Sequence, residues 1–195
     1  MPSPTVLILF GSTYGHTQRY CRWIAEDLEA LESAPTVLLS PIAEATDELI
    51  EQADILIVGA SYLGGFLTGA PTLRKRREAM LKVPRRLFFT VSFNGTEVYP
   101  RSYLDDKIMK SYKADVAEGH PAYHFRGGLD LKNMSTTHKT VLAGVRTALR
   151  LKPHQNEFNR QMIESFDNGG GDYTNREWID PLVEQVKTYL NDSKG

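Results

Sequence analysis

Thr5 to Phe10 is a short continuous apolar run that stops sharply at Gly11, the pattern of a central strand covered on both faces. From Thr17 the spacing changes. Tyr20, Ile24, Leu28 and Leu31 recur with Arg19, Arg22, Glu26 and Asp27 between them, which predicts an amphipathic helix. Thr36 to Leu39 reads as a second strand, Thr46 to Gln52 as a short helix and Ile55 to Gly59 as a third strand. Pro71 suits a first helical turn, so one basic helix is expected from there to about Lys82, leading into a fourth strand at Leu87 to Val91. Leu104, Ile108 and Tyr112 mark a helix after Pro100, and Ala122 to Phe125 begins a fifth strand. Ile179, Leu182, Val183, Val186 and Leu190 mark the last helix.

Strands alternating with helices predict an α/β fold: a doubly wound, five-stranded parallel sheet of order 2-1-3-4-5 with helices on both faces. Ligands of such sheets bind where the strand order reverses, outside the carboxyl ends of the strands, so the loops after Phe10, Gly59 and Val91 should form the site. At 195 residues the chain fits a single domain over 1–195. Residues 127–172 are surplus to the alternation and read as an insertion within that domain, after the start of strand five. Val141, Leu142, Val145 and Leu149 form an apolar stripe inside it, beside Lys139, Arg146 and Arg150.

Charge changes the picture more than composition does. The formal net charge is −1, yet Arg74 to Arg86 holds seven basic residues and one acidic, and His124 to Pro153 six and one, so the remainder is strongly acidic. Two basic blocks can draw anionic partners to one region, or can be solvated surface. The first block has no interleaved aromatics and no recognition motif, so nucleic acid is not an expected partner. Val6 to Phe10 is too short to span a bilayer and no Lys or Arg precedes it, which reads as neither anchor nor signal peptide and makes a cytoplasmic protein the expectation. The single cysteine, Cys21, lies among helix-patterned residues and reads as a buried hydrophobe. The five histidines show no zinc-like spacing with it, so no metal is expected.

The first loop, Gly11-Ser12-Thr13-Tyr14-Gly15-His16-Thr17, joins a buried strand directly to a helix amino terminus. Unpaired amides and the positive end of the helix dipole favour a phosphate there, hydroxyls add donors, and glycine admits close approach. The loop has neither the Gly-Lys-Ser/Thr ending of a P-loop nor Gly-x-Gly-x-x-Gly spacing, so a monophosphate fits better than a di- or triphosphate. An ordinary helix cap accounts for the same residues. His16, beside a helix amino terminus, is expected to be neutral and to act as a contact, not as an acid or base.

That loop resembles the Ser/Thr-x-Thr-Gly-x-Thr phosphate loop of the flavodoxin family, with Tyr14 in place of the usual threonine and His16 in place of asparagine. The resemblance implies FMN as cofactor, with Ser12, Thr13, Tyr14, Gly15, His16 and Thr17 around its phosphate. It also implies that Ser61, Tyr62, Leu63, Gly64 and Gly65 flank the isoalloxazine ring, with Ser92, Phe93, Asn94 and Gly95 bordering its other side. Within the superfamily, Ile57-Val58-Gly59-Ala60-Ser61-Tyr62, Phe89-Thr90-Val91-Ser92, Gly169-Gly170-Gly171-Asp172-Tyr173-Thr174 before Trp178, and the long insertion are similar to the flavodoxin-like, menaquinone-dependent protoporphyrinogen oxidases.

The function this implies is redox chemistry at FMN: a small-molecule substrate, porphyrinogen-like, gives electrons to the flavin and a quinone takes them. The cofactor performs the difficult step, and no catalytic acid or base is assigned. The basic insertion could touch a membrane surface peripherally, could meet the substrate, or could pack on its own domain. Two other readings stand beside the enzyme: an electron shuttle of flavodoxin type, against which the near-neutral charge speaks, and a non-redox module that keeps the fold without the cofactor.

Overall fold

The opening apolar run forms β1 (Thr5–Gly11), and Val6, Leu7, Ile8 and Leu9 are wholly buried because helices cover both faces of the strand. The computed structural model describes residues 3–153 and 156–192; within these, the side chains of Val141 and Phe158 are outside the description. On either side of β1 lie β2 (Thr36–Pro41) and β3 (Ile55–Leu63), followed by β5 (Arg85–Ser92) and β6 (Ala122–Arg126), all parallel in the order β2-β1-β3-β5-β6. That is the expected five-strand order. A two-residue strand, β4 (Phe66–Leu67), folds back antiparallel on β3 and carries that strand past Gly59 to Leu63.

Alternate residues of β1 feed two cores. Val6 and Ile8 pack with Tyr20, Cys21, Ile24 and Leu28 of α1 (His16–Glu29) and with Leu182, Val183, Val186 and Leu190 of α9 (Asp180–Asp192). Leu7 and Leu9 face Leu73 of α3 (Ala70–Arg74), Met80 of α4 (Arg77–Lys82) and Leu104, Ile108 and Tyr112 of α5 (Arg101–Tyr112). Cys21 is fully buried and burial pushes its thiol up, so it serves as core. Leu31 lies past the end of α1 and Ile179 lies in the 3-10 turn Arg176–Ile179, yet both pack on the first core.

The single helix expected from Pro71 to Lys82 is two short ones, broken at Lys75 and Arg76. The break turns neighbouring cations to different partners. Arg76 pairs with Asp47 of α2 (Asp47–Glu51) at 3.5 Å, and Arg77 pairs with Asp115 of α6 (Ala114–Ala117). Lys82 meets Glu51 at 2.8 Å. Arg86 is buried, and its guanidinium donates to the carbonyls of Met80 at 3.0 Å, Val83 at 2.5 Å and Val116 at 2.9 Å, at the ends of α4 and α6, and contacts His120 Nε2 at 2.6 Å. Much of the first basic block is therefore neutralised by acidic elements packed beside it.

The insertion rises on a stalk made by β7 (Gly128–Asp130) paired antiparallel with β8 (Gly170–Asp172). It carries α7 (Thr136–Arg150), capped by Ser135, and α8 (Glu157–Asp167), capped by Asn156. These elements have a core of their own: Leu129, Met134, Leu149, Met162 and Phe166, with Leu142 partly buried against them. Of the apolar stripe, Leu149 faces this core, Val145 is partly exposed, and the Val141 side chain lies outside the described residues. Arg146 and Arg150 both pair with Asp167 of α8.

Arg86→Ala leaves the Val83 and Val116 carbonyls without their guanidinium donor and is expected to cost roughly 3 kcal/mol. The measurement is urea unfolding, where the midpoint should fall with little change of slope; an unchanged midpoint would show the guanidinium to be dispensable.

Candidate functional site

Gly15 sets the geometry of the first loop. As the residue before α1 it adopts φ +87°, a left-handed conformation that favours glycine, and it brings no side-chain cap to the helix. Ser12 Oγ accepts the Gly15 N–H at 3.0 Å, and Ser61 Oγ, at the end of β3, accepts the Thr13 N–H at 3.3 Å. Thr17 is buried, with its Oγ1 2.9 Å from Ser61 Oγ, and Thr13 Oγ1 lies 3.1 Å from Thr68 Oγ1. Among the described residues, the amides of Tyr14, His16, Thr17 and Gln18 have no protein acceptor. A turn with two amides satisfied and its helix end uncapped is a donor cradle for an anion.

The three expected loops do meet. Thr13, Tyr14, His16, Ser61, Tyr62, Leu63, Ser92 and Phe93 line one crevice at the carboxyl ends of β1, β3 and β5. Gly64 and Gly65 form the exposed tip between β3 and β4, with φ +59° and +93°. Ser92 Oγ accepts the Gly95 N–H at 2.9 Å, which folds the third loop, and Asn94 Oδ1 in that loop is buried without a partner. Tyr62 is mostly buried: its ring meets Tyr99 edge-on and its hydroxyl lies 3.0 Å from that of Tyr103. Phe93 stands edge-on to Tyr173 with the Arg126 guanidinium above both rings.

Five further residues line the crevice that the sequence did not single out: Val91, Gly127, Gly128, Leu129 and Met134. The last four come from the insertion, which stands over the crevice as a roof. Tyr14 packs on the insertion core, and its hydroxyl is hydrogen-bonded to His138 Nδ1 of α7. The glycines after strand five were a signal, since the rule that ligands sit at strand carboxyl ends applies to that strand too. Met134 gave none.

Electrostatics at the loop come from dipoles and hydroxyls. Arg19, one turn into α1, is paired with Asp172 of the stalk. His16 is held below the usual imidazole range, chiefly by burial, against the opposing charge of Asp172. The donor set therefore suits a monoester phosphate bound by amides and hydroxyls, as FMN requires, and the partnerless Asn94 oxygen offers an acceptor on the loop beside the ring's place. The crevice is narrow, with a volume of about 60 Å³, less than a ligand pocket usually offers. Admitting a flavin ring needs the roof to shift, and the unbranched Met134 side chain is suited to give way.

One constellation outside the crevice resembles a triad. His124 is buried with Nδ1 2.8 Å from Thr90 Oγ1 and Nε2 2.9 Å from Asp105 Oδ1. Thr90 is itself 1% exposed, so no substrate reaches its hydroxyl, and the cluster pins β5, β6 and α5 together. Among the described residues no group of His, Cys, Asp and Glu could hold a metal ion, and no helix is long and apolar enough to cross a membrane.

A family model described as Flavodoxin domain matches residues 7–157. Among solved structures, a flavodoxin from the domain Archaea is 12% identical over 85% of this chain and 98% of its own, with a TM-score of 0.43. Flavodoxin 1 from Bacillus cereus is 21% identical over 61% of this chain and 84% of its own, at 0.40. The rubredoxin:oxygen oxidoreductase of Desulfovibrio gigas is 14% identical over 97% of this chain but 37% of its own, at 0.48. No curated protein matches the chain.

His16, His120 and His124 are each held below the usual value of 6.5, with burial the main cause. The unfolded chain thus takes up protons first as pH falls. Their contribution is full above pH 6.5 and is lost as pH drops through the folded values. The urea midpoint should accordingly be higher at about pH 7.5 than at about pH 5.5, and His124→Gln should flatten that dependence; equal slopes in both proteins would rule the histidine out as a source.

Proposed function

Because the chain belongs to the flavodoxin-domain family, we propose that it is an FMN-dependent oxidoreductase that takes electrons from a small-molecule redox substrate of porphyrinogen type and passes them to a quinone. FMN is the cofactor that goes with the family, and it supplies the electron transfer. The protein's part is to bind, orient and enclose it. Ser12 to Thr17 would hold the phosphate through amides and hydroxyls, with Gly15 allowing the turn. Ser61 to Gly65 and Ser92 to Gly95 would flank the ring.

The observation that carries the reading is the roof. Leu129 and Met134 close the crevice from above, and α7 is tied to the first loop through Tyr14 and His138. A shuttle must bring its flavin edge against another protein, and an insertion that lines the crevice on that side would obstruct such docking. Small molecules need only a slot. The chain's near-neutral net charge likewise differs from the strongly acidic balance expected of a carrier.

Purified protein should be yellow and should release FMN on heating, identified by mass. Once photoreduced without oxygen, it should be reoxidised by a soluble quinone, and porphyrinogen should reduce it again. Gly15→Val should weaken FMN binding at least tenfold, since the left-handed turn and the open cradle are both lost. A colourless protein that cannot be reconstituted with FMN would leave only a non-redox module.

The insertion also presents Val145, Leu151, Lys139 and Lys152 to solvent, a mixture suited to a peripheral membrane contact where quinone resides. Sedimentation with anionic vesicles should carry down more protein than with neutral ones; equal recovery in both supernatants would remove the membrane from the proposal.

A further inference from the structure

The hairpin of β3 and β4 has two unlike faces. Tyr62 pairs with Leu67 and Leu63 pairs with Phe66, and residues directly opposite in an antiparallel pair share a face. The first pair is buried, at 8% and 3% exposure, and belongs to the core under α5. Tyr62 is anchored there further by Tyr99 and Tyr103. The second pair looks the other way. Leu63 lines the crevice alongside Tyr62, and Phe66 opposite Leu63 is 78% exposed.

A phenylalanine so exposed adds nothing to a core, and its ring meets no other aromatic ring among the described residues. Its position is nonetheless defined. Gly64 and Gly65 take the two consecutive left-handed conformations that a tight hairpin turn requires, with open space where side chains would be. One face of the hairpin is clamped, and the other holds an aromatic ring directly across the ladder from Leu63, a residue that lines the crevice.

The geometry points to Phe66 as the stacking contact for the electron acceptor, a planar, uncharged aromatic ring of quinone type. This rests on the oxidoreductase reading above and adds a subsite to it. A flat ring entering beside Leu63 would lie against the Phe66 face, gaining dispersion and burying two apolar surfaces at once. The subsite selects for shape and apolarity. It offers no charge from Phe66 or Leu63, so a small, highly charged oxidant would gain nothing from it.

The test uses Phe66→Ala and Phe66→Tyr in the flavin-loaded protein, with menadione and ferricyanide as alternative oxidants. Phe66→Ala should raise the KM for menadione about two- to tenfold, with kcat little changed, while the ferricyanide rate and the affinity for FMN stay at the wild-type values. Phe66→Tyr, which keeps the ring, should restore the menadione KM. An unchanged menadione KM in Phe66→Ala overturns the assignment, and so does a parallel loss with both oxidants. If the protein binds no FMN, the oxidoreductase reading fails on that ground alone. Phe66 is then judged by NMR shifts caused by menadione in flavin-free protein, where equal affinity of wild type and Phe66→Ala overturns the contact and weaker binding by the variant supports it.

Discussion

The Ser61 hydroxyl is shared between two residues of the first loop, accepting the Thr13 N–H and meeting Thr17 Oγ1. Through this one oxygen the carboxyl end of β3 is fixed against the first turn of α1. Thr17 is buried, so its hydroxyl needs a partner, and Ser61 is within reach because β1 and β3 run parallel in register, with Gly11 opposite Ala60. The loop is held open by that joint. Its remaining amides have no protein acceptor among the described residues.

Much of this was legible because it depends on local pattern. The buried run before Gly11 and the four-three spacing after Thr17 mark a strand and a helix without reference to anything else. The crevice followed from topology, since strand order alone decides where loops converge. What was illegible depends on distant partners. The break at Lys75 and Arg76 reflects Asp47 on one side and Asp115 on the other, and β4 is two residues long, too short for any periodicity. Tyr14 finds His138 at a separation of 124 residues. Met134 enters the crevice only because the whole insertion folds back.

Charge shows the same division between chain and space. Two basic blocks in the sequence suggest a polarised surface, yet Arg76, Arg77, Lys82, Arg146 and Arg150 each meet a carboxylate, and Arg86 is consumed by helix ends. Arg19, the cation nearest the loop in sequence, is balanced by Asp172. An anion bound at the first loop would therefore be attracted by the loop's amides over short range, and little by a long-range field. Such binding depends on shape and on hydrogen-bond direction, and salt screens it weakly.

The stalk has a consequence for how the fold can change over generations. The chain leaves the five-stranded body at Gly128 and rejoins it after Asp172, two residues that face each other across one ladder, and the Tyr173 N–H reaches the Gly127 carbonyl at 3.1 Å. To the five-stranded body, everything in between is a detour with coincident ends. A segment attached in this way can be lengthened, trimmed or exchanged in descendants without moving a single strand. The appendage beside the crevice can then drift while the first loop and the strands that carry it are inherited intact.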